Sequence, residues 1–278
     1  MSTAAGLMPP HNTCSSPLGL LSLPLTCMVI KFRACTPTVT AVGALAALII
    51  SQAPLPHPTP AGHGRSAGTH GLVRNVDALV ADVVAIASEL PRPLFLFGQS
   101  LGGLLALRAA ASLPTLAGIV LQAPTVALHA HVVPTPAAQR ALALFASVAP
   151  ALPAVPPTAA SSYHPAVMGA RLAEDGRDPL VYSRRLRLGT GAAVINAVGA
   201  LAADVAAGAL ATLRTPVLLQ HGDADTVCDV AGSRALAAAL PAAQLEVVPG
   251  GHHDLLRERE GVARATLASA TRWMASRI

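Results

Sequence analysis

Leu94-Phe95-Leu96-Phe97-Gly98-Gln99-Ser100-Leu101-Gly102 is the stretch on which the reading of the fold turns. Leu94 to Phe97 form a short apolar run that reads as a buried strand. Gly-x-Ser-x-Gly follows, and Leu101 to Ala111 is helix-prone, so the order is strand, tight turn, helix. A serine on that turn projects its hydroxyl. The flanking glycines permit it, because a Cβ at either position would collide with the neighbouring strand or helix. Alone, the pentapeptide is weak evidence in a chain rich in alanine and glycine. The rest of the sequence has to supply an acid and a base in order.

Two further strand-to-turn junctions supply them. Pro216-Val217-Leu218-Leu219-Gln220 runs into His221-Gly222-Asp223-Ala224-Asp225. Gln244-Leu245-Glu246-Val247-Val248 alternates like a strand and runs into Pro249-Gly250-Gly251-His252-His253-Asp254. Serine, then aspartate, then histidine, each just past a strand, is the α/β-hydrolase arrangement. Three turns at the carboxyl ends of neighbouring parallel strands open onto one crevice. The spacing leaves either Asp223 or Asp225 as the acid, and either His252 or His253 as the base. Each residue also has a plainer account, as turn former or solvated loop histidine; their joint order carries the argument.

Helical spacing of Val76, Leu79, Val80, Val83, Ala87 and Leu90 predicts an amphipathic helix packed on the sheet before the serine strand. Pro91 and Pro93 end it. Ala117–Ala123 reads as the next buried strand, and residues 229–240 and 260–277 as two more helices, the last carrying Trp273. From Pro124 to about Leu213 the pattern changes: proline is dense between Pro134 and Pro157, and short apolar helix-like stretches follow. So long a structureless loop would be unusual in a compact domain. Residues 125–213 are therefore expected to form a cap or lid that covers the serine with apolar surface, between core segments 54–124 and 214–278.

At 278 residues and 28.0 kDa the chain suits one catalytic domain with a modest insertion. Aromatic residues make up 3%, so the core must rest on Leu, Val and Ala. A net charge of +5 invites a nucleic-acid reading, but only 12% of residues are charged. The arginines are scattered apart from Arg184-Arg185-Leu186-Arg187, without interleaved aromatics, and nucleic acid is excluded as a partner. Cys14, Cys27, Cys35 and Cys228 form no CxxC pair, which argues against zinc and against a disulfide framework. Neither a P-loop nor a GxGxxG occurs, and no metal-spaced histidine pair. No cofactor and no metal are expected; a Ser-His-Asp triad needs none.

The chain resembles the monoacylglycerol lipase-like serine hydrolases of the α/β-hydrolase superfamily, of the serine aminopeptidase S33 type. The resemblance rests on Gly62-His63-Gly64-Arg65-Ser66, Leu96-Phe97-Gly98-Gln99-Ser100-Leu101-Gly102-Gly103 and Asp178-Pro179-Leu180-Val181. It continues through His221-Gly222-Asp223-Ala224-Asp225-Thr226-Val227-Cys228-Asp229 and Gly250-Gly251-His252-His253-Asp254-Leu255-Leu256, covering roughly residues 60–278. It implies an α/β-hydrolase fold: a mostly parallel central sheet, helices on both faces and a helical cap. Ser100 takes the place of the nucleophile, Asp225 of the acid and His253 of the base. The N–H of Leu101 takes that of one oxyanion-hole donor, and Cys228 falls near the alcohol-binding end of the substrate site.

The implied activity is hydrolysis of carboxylic esters of lipids, with monoacylglycerol as the model substrate. The implied partner is a lipid ester, met in the cytoplasm or at a membrane surface that the protein touches peripherally. A lysophospholipase or an acyltransferase would use the same triad. A non-catalytic α/β-hydrolase-like ligand-binding protein is the reading from another class, and the N-terminal residues favour it. Residues 1–53 read as an atypical segment in which the family's strands before Gly62 are missing or divergent, without the His-Gly pair of the loop that supplies a second oxyanion donor. Val39–Ile50 is an apolar run too short to span a membrane, and no transmembrane helix is expected. Lys31 and Arg33 before the run, with Ser51-Gln52-Ala53 after it, sketch a leader whose start would be Met28. The preferred reading is a misassigned, frame-shifted or divergent start.

Overall fold

The computed structural model describes the strand Cys27–Lys31, residues 62–63 and residues 67–278. In chain order the first elements are β1 (Cys27–Lys31), α1 (Val76–Ser88), β2 (Leu94–Gln99), α2 (Leu101–Ala110) and β3 (Gly118–Gln122). Next come α3 (Pro136–Val148), β4 (Pro153–Val155), α4 (Pro165–Arg177), β5 (Leu186–Arg187) and α5 (Leu188–Ala206). The chain returns to the sheet with β6 (Val217–Gly222), α6 (Val230–Ala239), β7 (Ala243–Val248) and α7 (Glu260–Ala275).

The main sheet runs β1-β2-β3-β6-β7. β2, β3, β6 and β7 are mutually parallel, and β1 pairs antiparallel with β2, Cys27 opposite Gly98 and Lys31 opposite Leu94. Period-two alternation divides each central strand between two cores. Leu94, Leu96, Ile119, Leu121, Val217 and Leu219 face α1, α2, α5 and α6. Phe95, Phe97, Val120 and Leu218 face α7 through Ala270, Trp273 and Met274. Helices thus lie on both faces, and the continuous apolar strands follow from burial on both sides.

The predicted helix after Asn75 forms because its side chain accepts from Asp77 N at 2.8 Å, capping a run whose Val76, Leu79, Val83 and Ala87 are buried. The proline-dense stretch also holds a helix, α3, since Pro136 sits at the first turn, where a missing N–H costs nothing. Thr135 caps it, and none of its residues is buried. Between β3 and β6 the chain also carries the small β4–β5 sheet and α4.

α5 behaves differently from α3. By length and composition it is the one helix among the described residues apolar enough to cross a membrane. Its buried Ala197 and Leu201 nevertheless join the core cluster of α1 and α2, and its Thr190 hydroxyl donates to Gly71 O at 2.8 Å. The last helix of the expected cap span therefore packs into the hydrolase core. The run 39–50 and residues 51–53 after it lie outside the described residues, as do 64–66 of the Gly62–Ser66 segment; Lys31 is the last residue of β1.

Candidate active site

The strand β2 delivers Ser100 onto its turn, and the turn is strained: Ser100 has φ +54°, a region costly for any residue with a Cβ. Hydrogen bonds to four neighbours hold it there. Ser100 N donates to Gln122 O at 2.9 Å, and Ser100 O accepts from Gly103 N, Leu104 N and Thr125 N at 2.9, 3.3 and 3.0 Å. Gly98 is required by close approach, since a Cβ there would stand 2.3 Å from the carbonyl oxygen of Gly102. Gly103 packs equally tightly, its absent Cβ 2.8 Å from Pro124.

Three loops meet at this turn. His253 Nε2 lies 2.9 Å from Ser100 Oγ, and His253 Nδ1 lies 2.8 Å from Asp225 Oδ2. A carboxylate only accepts, so Nδ1 carries the proton and Nε2 is left to accept from the serine hydroxyl. Thr125 Oγ1 is 3.2 Å from Ser100 Oγ; with the serine proton directed to His253, Thr125 is the donor in that pair. Cys228 is buried, its thiol donating to Thr125 Oγ1 at 3.8 Å. The N–H of Leu101 opens helix α2, where the first amides have no intrahelical carbonyl to bond and the helix dipole favours negative charge.

The two residues left open by spacing separate clearly. Asp223 Oδ1 accepts from Gly250 N at 2.6 Å and shapes the turn before the histidines. His252 turns away to Glu258, its N and Nδ1 2.9 and 3.0 Å from Oε1, and its ring meets His164 edge-on. Asp225 and His253 are the pair that the loops bring to Ser100. Both are buried, with side-chain exposures of 0% and 7%.

Asp225 is held by more than His253. Oδ1 accepts from Val227 N and Cys228 N at 2.7 and 3.0 Å, and Oδ2 also accepts from His221 Nε2 at 3.1 Å. His221 is fully buried, its Nδ1 2.7 Å from Ser233 Oγ and its Nε2 3.2 Å from Cys228 O. A backbone carbonyl can only accept, so His221 carries its proton on Nε2 and Nδ1 accepts from Ser233. Burial alone would raise the Asp225 pKa, but hydrogen bonds from His221 and His253 pull it well below the usual carboxylate range. Burial likewise opposes charge on His253. The adjacent Cys228 sulfur and the Asp225 carboxylate outweigh it and raise His253 well above the ordinary imidazole value.

His221, Thr125 and Ser233 had no role in the sequence reading. His221 stood in the quoted segment, in the strand-end position directly before Gly222; its contact with Asp225 depends on how the turn folds back, which spacing does not disclose. The second oxyanion donor expected from the segment before Gly62 falls outside the described residues. Asp225, Cys228 and His253 place a carboxylate oxygen, a sulfur and an imidazole nitrogen within 4.8 Å of one another, close enough to share a metal ion. Both His253 nitrogens are already engaged, with Asp225 and Ser100, so a metal would have to displace the hydrogen-bonded line.

A serine hydroxyl hydrogen-bonded to an imidazole that is backed by a buried carboxylate can perform nucleophilic acyl transfer once the imidazole is neutral. Comparisons with known proteins give the family. A family model for serine aminopeptidase, S33 (Hydrolase_4) matches residues 60–260. The chain is similar to a monoacylglycerol lipase of Mycolicibacterium smegmatis, with 32% identity over 228 residues covering 78% of this chain and 76% of that protein. Its fold is similar to the crystal structure of Paleococcus ferrophilus monoacylglycerol lipase, with TM-score 0.63, 24% identity, and 79% and 81% of the two chains covered. It is also similar to a soluble variant of Saccharomyces cerevisiae monoglyceride lipase in complex with a substrate analog, with TM-score 0.63, 19% identity, and 80% and 75% covered.

Proposed function

The chain belongs to the serine aminopeptidase S33 (Hydrolase_4) family, with the α/β-hydrolase fold, and is a carboxylic ester hydrolase; from that premise we propose that it cleaves lipid esters, monoacylglycerols above all, through a Ser100-His253-Asp225 triad. The observation that carries the reading is the unbroken hydrogen-bonded line from Ser100 Oγ through His253 to Asp225, with links of 2.9 and 2.8 Å.

His253 Nε2 removes the proton as Ser100 Oγ attacks the ester carbonyl, and the carbonyl π electrons move onto oxygen. Asp225 keeps the imidazole in the Nδ1–H tautomer and stabilises the imidazolium. The N–H of Leu101 donates to the oxyanion. Collapse breaks the bond to the alcohol, which leaves as glycerol after taking the proton from His253. Water then repeats the sequence on the acyl-serine and releases the fatty acid. Cys228, against Thr125, would border the space entered by the leaving alcohol.

The span 125–213 supplies the cap in this reading, with α3 as its outer surface and α5 anchoring it in the core. Leu144, Phe145 and Val148 on α3 are 66, 60 and 82% exposed. An apolar cluster on a helix that buries none of its own residues suits contact with a lipid surface. The substrate would then be drawn from an interface that the protein touches peripherally.

The test is release of fatty acid from 1-monoacylglycerols of increasing chain length by the purified protein, beside Ser100→Ala. Release by wild type and its loss in the variant are expected. A folded wild type that releases no acid from any ester in the series would contradict the reading and leave a ligand-binding role.

A further inference from the structure

The segment leading into α4 is bound to the histidine loop by charges that the triad does not use. Arg257, at the end of the 3-10 turn Leu255–Arg257 just after His253, is 5% exposed. Its Nη1 donates to Tyr163 Oη at 2.6 Å and pairs with Asp175 Oδ1 at 2.8 Å, an ion pair without hydrogen-bond alignment. Its Nη2 reaches Glu174 Oε2 and Arg171 O, both at 3.2 Å, and its guanidinium lies over the Tyr163 ring, 4.9 Å from the centroid. Tyr163 Oη in turn donates to Asp175 Oδ2 at 2.8 Å, and Arg171 Nε returns a bond to Arg257 O at 3.1 Å.

The same turn is tied to the nucleophile. Arg257 N donates to Asp254 Oδ1 at 3.2 Å, Asp254 N donates to Ser162 O at 3.0 Å, and the Gln99 side chain lies close enough to the Asp254 carboxylate to favour its charged form. Thr226, the neighbour of Asp225, donates to Ser161 O at 3.3 Å. Residues 161–177 therefore grip the base loop and the acid loop, and through Asp254 they reach the residue before Ser100. Asp175 is 7% exposed and Asp254 8%. Polar groups so buried are costly unless partners and geometry satisfy them, so removing one partner of this network disturbs the others.

We infer that Arg257 is a positioning residue that locks the His253 loop to Tyr163 and Asp175 of the α4 segment, so that the base is aligned on Ser100 only while that segment is seated. The inference rests on the triad reading above. A long side chain would serve poorly here unless it could make several directed bonds at once, and the guanidinium fork does this where an ammonium cannot. A loosened loop displaces Nε2 from the serine, and a misplacement of about 1 Å is worth on the order of a hundredfold in rate.

The experiment is the second-order rate of fluorophosphonate labelling of the full chain, with variants Arg257→Gln, Arg257→Lys, Asp175→Asn, Tyr163→Phe and the double variant Arg257→Gln/Asp175→Asn. Rates are taken at a temperature where circular dichroism shows wild-type structure. Should the charge variants fail to fold, Tyr163→Phe, which deletes one oxygen, decides. Expected are losses of about ten- to a hundredfold in the Arg257→Gln and Asp175→Asn singles, a smaller loss in Tyr163→Phe, little rescue by Lys, and a double variant no slower than its slower parent. Folded variants that label at the wild-type rate, or a double variant whose losses multiply, would overturn the inference. An unlabelled wild type would instead sink the hydrolase reading itself, so the two failures are distinguishable.

Discussion

Among single residues, Asp225 has the most to hold together. Its Oδ2 accepts from both His253 and His221, and its Oδ1 from two backbone amides, so every lone-pair direction is used. Asp225→Asn keeps the volume but places an amide where Nδ1–H must donate, which selects the wrong imidazole tautomer. Turnover of a soluble ester is expected to fall by roughly 10⁴-fold with the fold retained by circular dichroism. The pH dependence follows from His253. In the proposed mechanism it acts as base only when neutral, and Cys228 and Asp225 raise its pKa well above 6.5 against the opposing effect of burial. The acid limb of kcat/KM should therefore be centred above pH 6.5, not below it. Stability moves on a different scale. Asp225, depressed in the fold, contributes stability that is present above its ordinary value of 3.8 and lost as pH falls through the folded value. Activity should disappear on acidification while circular dichroism is unchanged; coincident loss of both would contradict the assignment.

Elements explain which of these residues could be foreseen. The serine turn, Asp225 and His253 were legible because each follows a strand whose apolar run is a local pattern, and parallel strands bring their carboxyl ends to one edge. Thr125 and Arg257 were not, since their partners lie far along the chain: Thr125 is 25 residues from Ser100, and Arg257 is 94 from Tyr163. His221 and Ser233 were not either, because the turn that folds His221 back on Asp225, four residues on, is invisible to spacing. β1 carries neither alternation nor a flanking turn signal in Cys27–Lys31, and its place comes from pairing with β2. Proline density announced a change after Pro124 without disclosing that α3 would bury none of its residues while α5 packs Ala197 and Leu201 into the core. That difference is testable. Replacing Leu144, Phe145 and Val148 together by Ser should abolish co-sedimentation with phospholipid vesicles while hydrolysis of a short soluble ester stays within about twofold, as surface changes away from packed features cost little. Unchanged sedimentation would remove α3 from the lipid contact.

The whole molecule is a sheet clamped between two unequal cores, and the smaller one depends on few side chains. Trp273, 6% exposed, meets Phe95 edge-on at 6.3 Å and packs with Phe97, Val120 and Leu218. Trp273→Ala should cost about 3–5 kcal/mol in urea unfolding. Trp273→Phe should cost much less, because the indole N–H is buried without a hydrogen-bond partner and its removal relieves that penalty. Equal costs would contradict this account of the α7 face. On the other side, α1, α2 and α5 hold the strands whose carboxyl ends carry Ser100 and Asp225, so the site is an edge property of the sheet.

All of this converges on Ser100 Oγ as an activated nucleophile. Incubation of the intact protein with a fluorophosphonate, followed by peptide mass spectrometry, measures that directly. The account predicts one adduct, on the peptide containing Ser100, absent from Ser100→Ala and strongly slowed in His253→Ala. A folded wild type without the adduct, or one modified equally in Ser100→Ala, would contradict it.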